Sequence, residues 1–301
     1  NLLLGRFAEL NPEEAMLFVD SNITSSQGKM SLTIAVLLTW SKHEPESAFA
    51  WYQQSETPDN DGGLFDPRRA GLNAIFNGLA KNNLPDAIDK LITLANQGDD
   101  IFMASIGVTS NLHTSSDYIN FIEQTATLES DQVLRTVIST WITKSPEETL
   151  LWLDNVNDVD NKKQLSDTVM YSWMNTSPEK AASWYLNQSD ESNKQKSINK
   201  VIDLWAMRSP NDTLGWLQQQ EGVNQQLSLG KLLNSTTFTN INFAINNLDL
   251  LSDDESKKHL STSIYMKLKR SNKKKAEDFL KTSPYKEEIL KSESRMNNYK
   301  L

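Results

Sequence analysis

The stretch WITKSPEETLLW, residues 141–152, decides how this chain folds. Two tryptophans eleven residues apart bracket a Ser-Pro pair, with Pro146 five residues after Trp141. Serine suits an N-cap, proline suits the first helical position where its missing N–H costs nothing, and Glu148 stands where a capping box wants a carboxylate. Proline also keeps the residue before it out of helical geometry. A helix carrying Trp141 must therefore stop before Pro146, and a new one must start there. The local reading is helix, tight turn, helix.

The same arrangement recurs at Trp40/Trp51, Trp173/Trp184 and Trp205/Trp216, with Pro45, Pro178 and Pro210 between them, and this accounts for all eight tryptophans of the 301 residues. Asn11-Pro12-Glu13-Glu14 repeats the turn near the start, where Phe7 and Phe18 take the tryptophan places. Weaker copies fill the gaps at Leu84-Pro85-Asp86, Ser115 to Phe121, around Ile241 and Ala244, and from Leu268 to Phe279 with Ala276. The turns then fall at residues 12, 45, 85, 115, 146, 178, 210, 241 and 273. Most steps are close to 32 residues, the length of two helices of about a dozen residues with two short connections. The sequence thus predicts an all-α protein: an α-solenoid, or superhelix, of about nine tandem antiparallel helix hairpins forming a single domain over 1–301. Ser283-Pro284 opens a final capping helix through Leu290. The segments between turns carry a period near 3.6 and need no strand.

In each first helix, positions −7, −4, −3 and 0, counted from the first tryptophan, lie on one face. They read Leu134, Val137, Ile138 and Trp141; Ser166, Val169, Met170 and Trp173; Ile198, Val201, Ile202 and Trp205. The tryptophans are thereby assigned to the core. Thr149 and Ala181, small residues one turn into the second helix, let a neighbour approach, and Trp152 and Trp184 fill the space one turn later. Positions −6 and −2 face away from that core, four residues apart on one side. They read Arg135 and Ser139, Asp167 and Tyr171, Asn199 and Asp203. Solenoids bind along a face lined by one layer of helices, so these six variable positions are the candidate partner-binding residues.

The search for chemistry is short. A net charge of −9 argues against nucleic acid, which needs a basic footprint. His43, His113 and His259 lie far apart without ligand spacing, there is no cysteine, and neither a phosphate-cradling glycine loop nor a nucleophile elbow occurs. No catalytic residue, metal or cofactor is expected. Glu13-Glu14 and Glu147-Glu148 read as first-turn carboxylates favoured by the helix dipole. Asp59-Asn60-Asp61-Gly62-Gly63 imitates the opening of a calcium loop, but Arg68 stands where the closing glutamate belongs. That stretch lies in a polar insertion loop, 53–66, which lengthens one repeat. The other departure is basic. Residues 257–281 hold nine Lys or Arg against Glu277 and Asp278, and Lys273, Lys274 and Lys275 put cations at a helix start. This basic C-terminal repeat plus capping helix, 257–301, reads first as a solvated terminal repeat, and the alternative is contact with an anionic surface, a membrane or an acidic partner, through Lys273, Lys274 and Lys275.

The array is similar to the tetratricopeptide and Sel1-like class of tandem helical-hairpin α-solenoids, over essentially the whole chain. The tetratricopeptide signature W-x2-L-G-x2-Y differs from the pattern here, W-x4-P-x2-[AT]-x2-W, intact at 40–51, 141–152, 173–184 and 205–216. That pattern resembles the tryptophan- and proline-marked repeats of uncharacterised, often exported bacterial helical proteins. The resemblance implies a non-enzymatic scaffold that holds a protein or peptide, as the soluble part of an exported or membrane-tethered bacterial protein. A structural self-assembling repeat protein is the alternative, and an enzyme with a site built across repeats the weaker one. Nothing in the pattern fixes the number of copies. No stretch is apolar enough to span a bilayer. The lack of cysteine favours an extracytoplasmic (periplasmic or membrane-tethered) setting over a cytoplasmic one, and with Asn at position 1 any signal peptide or anchor would lie upstream, out of view.

Overall fold

A computed structural model describes residues 2–55, 67–128 and 130–298. The chain is 80% helical, and no strand occurs among the described residues, as the periodicity requires. In chain order the helices are α1 (Leu2–Leu10), α2 (Pro12–Asn22), α3 (Ser26–His43), α4 (Pro45–Gln54), α5 (Pro67–Asn82), α6 (Leu84–Asn96) and α7 (Phe102–Thr109). Then follow α8 (Ser115–Thr125), α9 (Asp131–Lys144), α10 (Pro146–Asp154), α11 (Val159–Trp173), α12 (Pro178–Asn187) and α13 (Lys194–Trp205). The last are α14 (Pro210–Gln218), α15 (Gln225–Thr236), α16 (Ile241–Asn246), α17 (Asp254–Ser271), α18 (Lys273–Thr282) and α19 (Lys286–Asn298). The even-numbered helices α2 to α18 each begin within one residue of a turn read from the sequence. The arrangement is compatible with a helical-repeat fold. No helix among the described residues is long and apolar enough to cross a membrane.

Two compact units make up the chain, Asn1–Val169 and Met170–Leu301. Within the first, α1, α3, α5, α7 and α9 pack in succession, and α2, α4 and α6 each pack between the odd helix before and the one after. Within the second, α13, α15, α17 and α19 pack in succession, with α14, α16 and α18 lying between them in the same way. Each unit therefore has a layer of odd helices and a layer of even ones. Most of the insertion segment lies outside the described residues, including Asp59 to Gly63; Gln53 and Gln54 are the last residues of α4. Beside that segment Arg68 donates to the Ser55 carbonyl at 2.5 Å and lies 5.8 Å from the centre of the Tyr52 ring.

The first tryptophans are core residues. Trp40, Trp141, Trp173 and Trp205 are all buried, and so are Val137, Ile138, Val169, Met170, Ile198, Val201 and Ile202 on the same face. Each meets its partner across the turn with ring centroids 6.3, 5.5, 6.3 and 6.0 Å apart and planes tilted by 44 to 60°. Tilted pairs of this kind add about 0.5–1.5 kcal/mol beyond their buried area. The indole N–H groups of Trp40, Trp141 and Trp205 are buried without an acceptor, a cost of about 1–3 kcal/mol each. The fold thus uses the volume of these rings and not their donors. Phe18 departs from the pattern at 46% exposed.

Capping differs from the sequence reading in an instructive way. Ser145, Ser177 and Ser209 occupy the N-cap positions yet make no side-chain cap bond, whereas Asn11, Asn83, Asn240 and Asn272 do. All sit at φ between −141 and −155° with ψ between 68 and 94°. There the longer asparagine amide reaches the third amide, and the short serine hydroxyl falls away from it. Glu148 does not close a capping box either; it accepts a 2.5 Å hydrogen bond from Ser115 at the start of α8. A complete box is present at Thr114 and Asp117. Asp117 loses some hydration there, but amide donors from Thr114 and His113 outweigh that loss and hold its carboxyl below the ordinary value of 3.8.

Glycines bring the odd helices of the first unit together. A Cβ on Gly78 of α5 would strike the Ser41 carbonyl of α3, and one on Gly107 of α7 would stand 2.5 Å from the Asn73 carbonyl and 2.8 Å from the Asn77 amide of α5. Backbone cannot yield as a side-chain tip does. Gly78→Ala and Gly107→Ala are each expected to destabilise the protein by about 1–3 kcal/mol through overpacking. Gly215→Ala, in α14 with nothing within 4 Å of the added carbon, should be neutral or stabilise by about 0.5–1 kcal/mol. Urea unfolding of the three variants measures the contrast.

Candidate functional site

The positions opposite the tryptophan face lie on the odd helices, and the structure places each of the six. Arg135 is exposed and Ser139 half-buried on α9, Asp167 is half-buried and Tyr171 exposed on α11, and Asn199 is half-buried and Asp203 exposed on α13. Helical geometry accounts for this: positions −6 and −2 project about 120° and 160° from the first tryptophan, and −6, only about 60° from the stripe at −3, is half-buried in two of the three helices.

Arg135 and Ser139 line an open groove of about 600 Å³ between α7 and α9 in the first unit. Its apolar wall is Phe102 and Ile106 of α7, and its polar wall adds Asp131, Gln132, Thr136 and Thr140. The Arg135 guanidinium lies 3.9 Å from the Asp131 carboxylate, a long and solvent-exposed contact that leaves most of its donors available. The Thr136 and Thr140 hydroxyls donate to carbonyls one turn back, at 2.8 and 2.9 Å, so they offer lone pairs and methyl groups to the groove. The site can accommodate an apolar side chain against Phe102 and Ile106 with an acidic group at Arg135.

In the second unit Asn199 lines a groove of about 350 Å³ formed by α13, α15 and α17. Gly230, Asn234, Lys231 and Gln226 come from α15, His259 from α17, and Leu227, Leu251 and Leu260 supply apolar surface. Asp203 borders this site through its 2.6 Å ion pair with Lys231. Two glutamines set the spacing between successive odd helices. Gln195 donates to Asn199 and Ser228 at 3.3 and 2.9 Å and accepts from the Asn224 amide at 3.2 Å. Gln226 accepts from the Ser252 amide at 2.7 Å and donates to the Leu250 carbonyl at 3.4 Å.

Asp167 and Tyr171 line neither groove. Tyr171 belongs instead to a cation–aromatic cluster in the second unit, where the Lys200 ammonium lies 5.8 Å from its ring centre, 5.7 Å from that of Tyr185, and donates to the Tyr185 hydroxyl at 3.4 Å. No group of three His, Cys, Asp or Glu side chains converges among the described residues.

Several groove residues escaped the sequence reading, although one register finds them. In α7 the core position is Val108, fully buried, so that −6 and −2 are Phe102 and Ile106. In α15 it is Thr236, also fully buried, and −6 and −2 are Gly230 and Asn234. Both repeats lack the tryptophans that mark the register elsewhere, and the link from α7, which ends at Thr109, to α8 is one residue longer than those after α11, α13 and α15. Both positions thus line a groove on α7, α9 and α15, and position −6 alone does so on α13.

No family model matches the sequence, and neither a curated protein nor a solved structure matches it.

Groove residues should be separable from the core in stability measurements. Arg135→Ala, Asn199→Ala and Asp203→Asn are each expected to change unfolding free energy by no more than about 0.5 kcal/mol. Trp141→Ala should cost about 3–5 kcal/mol. Denaturant midpoints of the four variants give the comparison.

Proposed function

We propose that this chain is an α-solenoid of nine tandem helix hairpins that binds an extended segment of a protein or peptide along its odd helices, without catalysing a reaction. The observation that carries the reading is the recurrence of positions −6 and −2 as groove walls on α7 and α9 in the first unit and on α15 in the second, with −6 alone on α13, while the residues opposite them are a repeated core. A repeated wall with varied side chains is how a solenoid presents one binding surface assembled from several units. The grooves pair an apolar side with a few polar groups, the combination that recognises peptide segments. Asn199 and Asn234 carry amides that both donate and accept, as peptide groups do, and Arg135 offers charge-assisted bonds to a carboxylate. The cysteine-free composition is in keeping with an exported or tethered bacterial protein.

Site-specific photo-crosslinking tests the proposal. Benzoylphenylalanine at Ser139 or Asn199, in cells of the native organism, should trap the same discrete partner, while the probe at Leu151 on α10, which is 67% exposed, should trap none. Equal labelling from Leu151 and from the grooves would refute a groove-bound partner. Adducts made only with further copies of this chain would favour self-assembly instead.

A further inference from the structure

Beyond His259 and Leu260, which line the second-unit groove, the basic segment reaches the turn edge of the last hairpins. Phe238, two residues past the core position Thr236 in the turn between α15 and α16, is 68% exposed. Met207 stands at the same register between α13 and α14 and is 58% exposed, and Arg270 holds that register at the end of α17. The Lys267 ammonium lies 5.1 Å from the centre of the Phe238 ring, which sets the turns of the last two hairpins side by side.

Cations outnumber acids in this segment, nine against two over 257–281. Lys258, Lys269 and Lys281 are paired, with Asp254 and Glu255, with Glu293 and with Asp278 respectively. Arg270, Lys273, Lys274 and Lys275 are exposed and form no ion pair among the described residues. Glu277 and Asp278, one turn further along α18, are helical neighbours of these lysines but form no ion pair with them. Three consecutive helical lysines splay at about 100° from one to the next and cannot converge on one carboxylate. They suit a plane of diffuse negative charge. Exposed apolar side chains set among such cations are the composition of surfaces that rest in a headgroup layer.

We propose that this edge docks on an anionic phospholipid bilayer, with Arg270, Lys273, Lys274 and Lys275 over the headgroups and Phe238 and Met207 entering the acyl boundary. The docking is electrostatic and reversible, and no segment crosses the bilayer.

Flotation of the intact chain with phosphatidylcholine vesicles, and with vesicles of phosphatidylcholine and phosphatidylglycerol in equal parts, tests this. The chain should partition only onto the phosphatidylglycerol vesicles, and high salt should release it. Joint replacement Lys273→Gln, Lys274→Gln and Lys275→Gln should weaken partitioning about a hundredfold, and Phe238→Ser about tenfold, with circular dichroism unchanged. Should the triple variant misfold, Arg270→Gln and Phe238→Ser carry the same comparison. Equal partitioning onto pure phosphatidylcholine, or undiminished binding by folded variants, overturns the proposal. So does binding of poly-glutamate with no vesicle attachment, which would identify an acidic polypeptide as the partner.

Discussion

The contact between two tryptophans across a proline-opened turn is the constraint from which the other features of each marked hairpin follow. With centroids 5.5 to 6.3 Å apart, the rings fix how the second helix folds back on the first. Proline confines the turn, and the first ring sits at the end of the buried stripe on its helix. Once that stripe is committed to the core, the opposite side of the same helix is committed to solvent. Arg135 is exposed and Asn199 half-exposed because Trp141 and Trp205 take the buried side of their helices. Three of the first indoles accept an unbonded N–H as the cost of filling this space.

Much of this was legible in the sequence, and the reasons are local. Proline after serine or asparagine marks a helix start by removing conformations, and a removed conformation needs no knowledge of distant partners. The even helices accordingly start where the sequence puts them. The core stripes were equally visible, being a matter of period. What stayed hidden depends on another element. Gly78 and Gly107 look like weak points inside helices until Ser41 and Asn73 appear beside them. The serine caps failed because backbone angles near φ −145° decide which side chain reaches the third amide. Phe102 and Ile106 were missed because α7 carries Val108 in place of a tryptophan, and no ring marked its register. Gln195 and Gln226 act only through backbone of the following helices.

The odd helices and the turn edge divide the surface of the molecule by physical character. Along the odd helices, grooves combine apolar walls with amides and isolated charges, suited to a segment with its own shape and sequence. The edge of the last hairpins offers unpaired cations beside an exposed aromatic ring, suited to a field of charge without fixed geometry. These demands sit on different parts of the repeat, positions −6 and −2 for the first and the residues just past the core position for the second. A repeat frame can serve both because neither enters the tryptophan contact.

Deleting one unit tests most directly that the tryptophan and proline frame is the packing unit. Removal of residues 178–209 excises 32 residues and rejoins Ser177 to Pro210, restoring a Ser-Pro turn in which Trp173 faces Trp216 eleven residues later. The shortened chain should keep its helicity per residue and unfold in a single cooperative transition, whereas removal of 178–193, which takes out α12 alone, should abolish cooperative unfolding. If the full-unit deletion loses helicity or cooperativity to the same extent as the half-unit deletion, the repeat frame is not the unit of packing, and the account is contradicted.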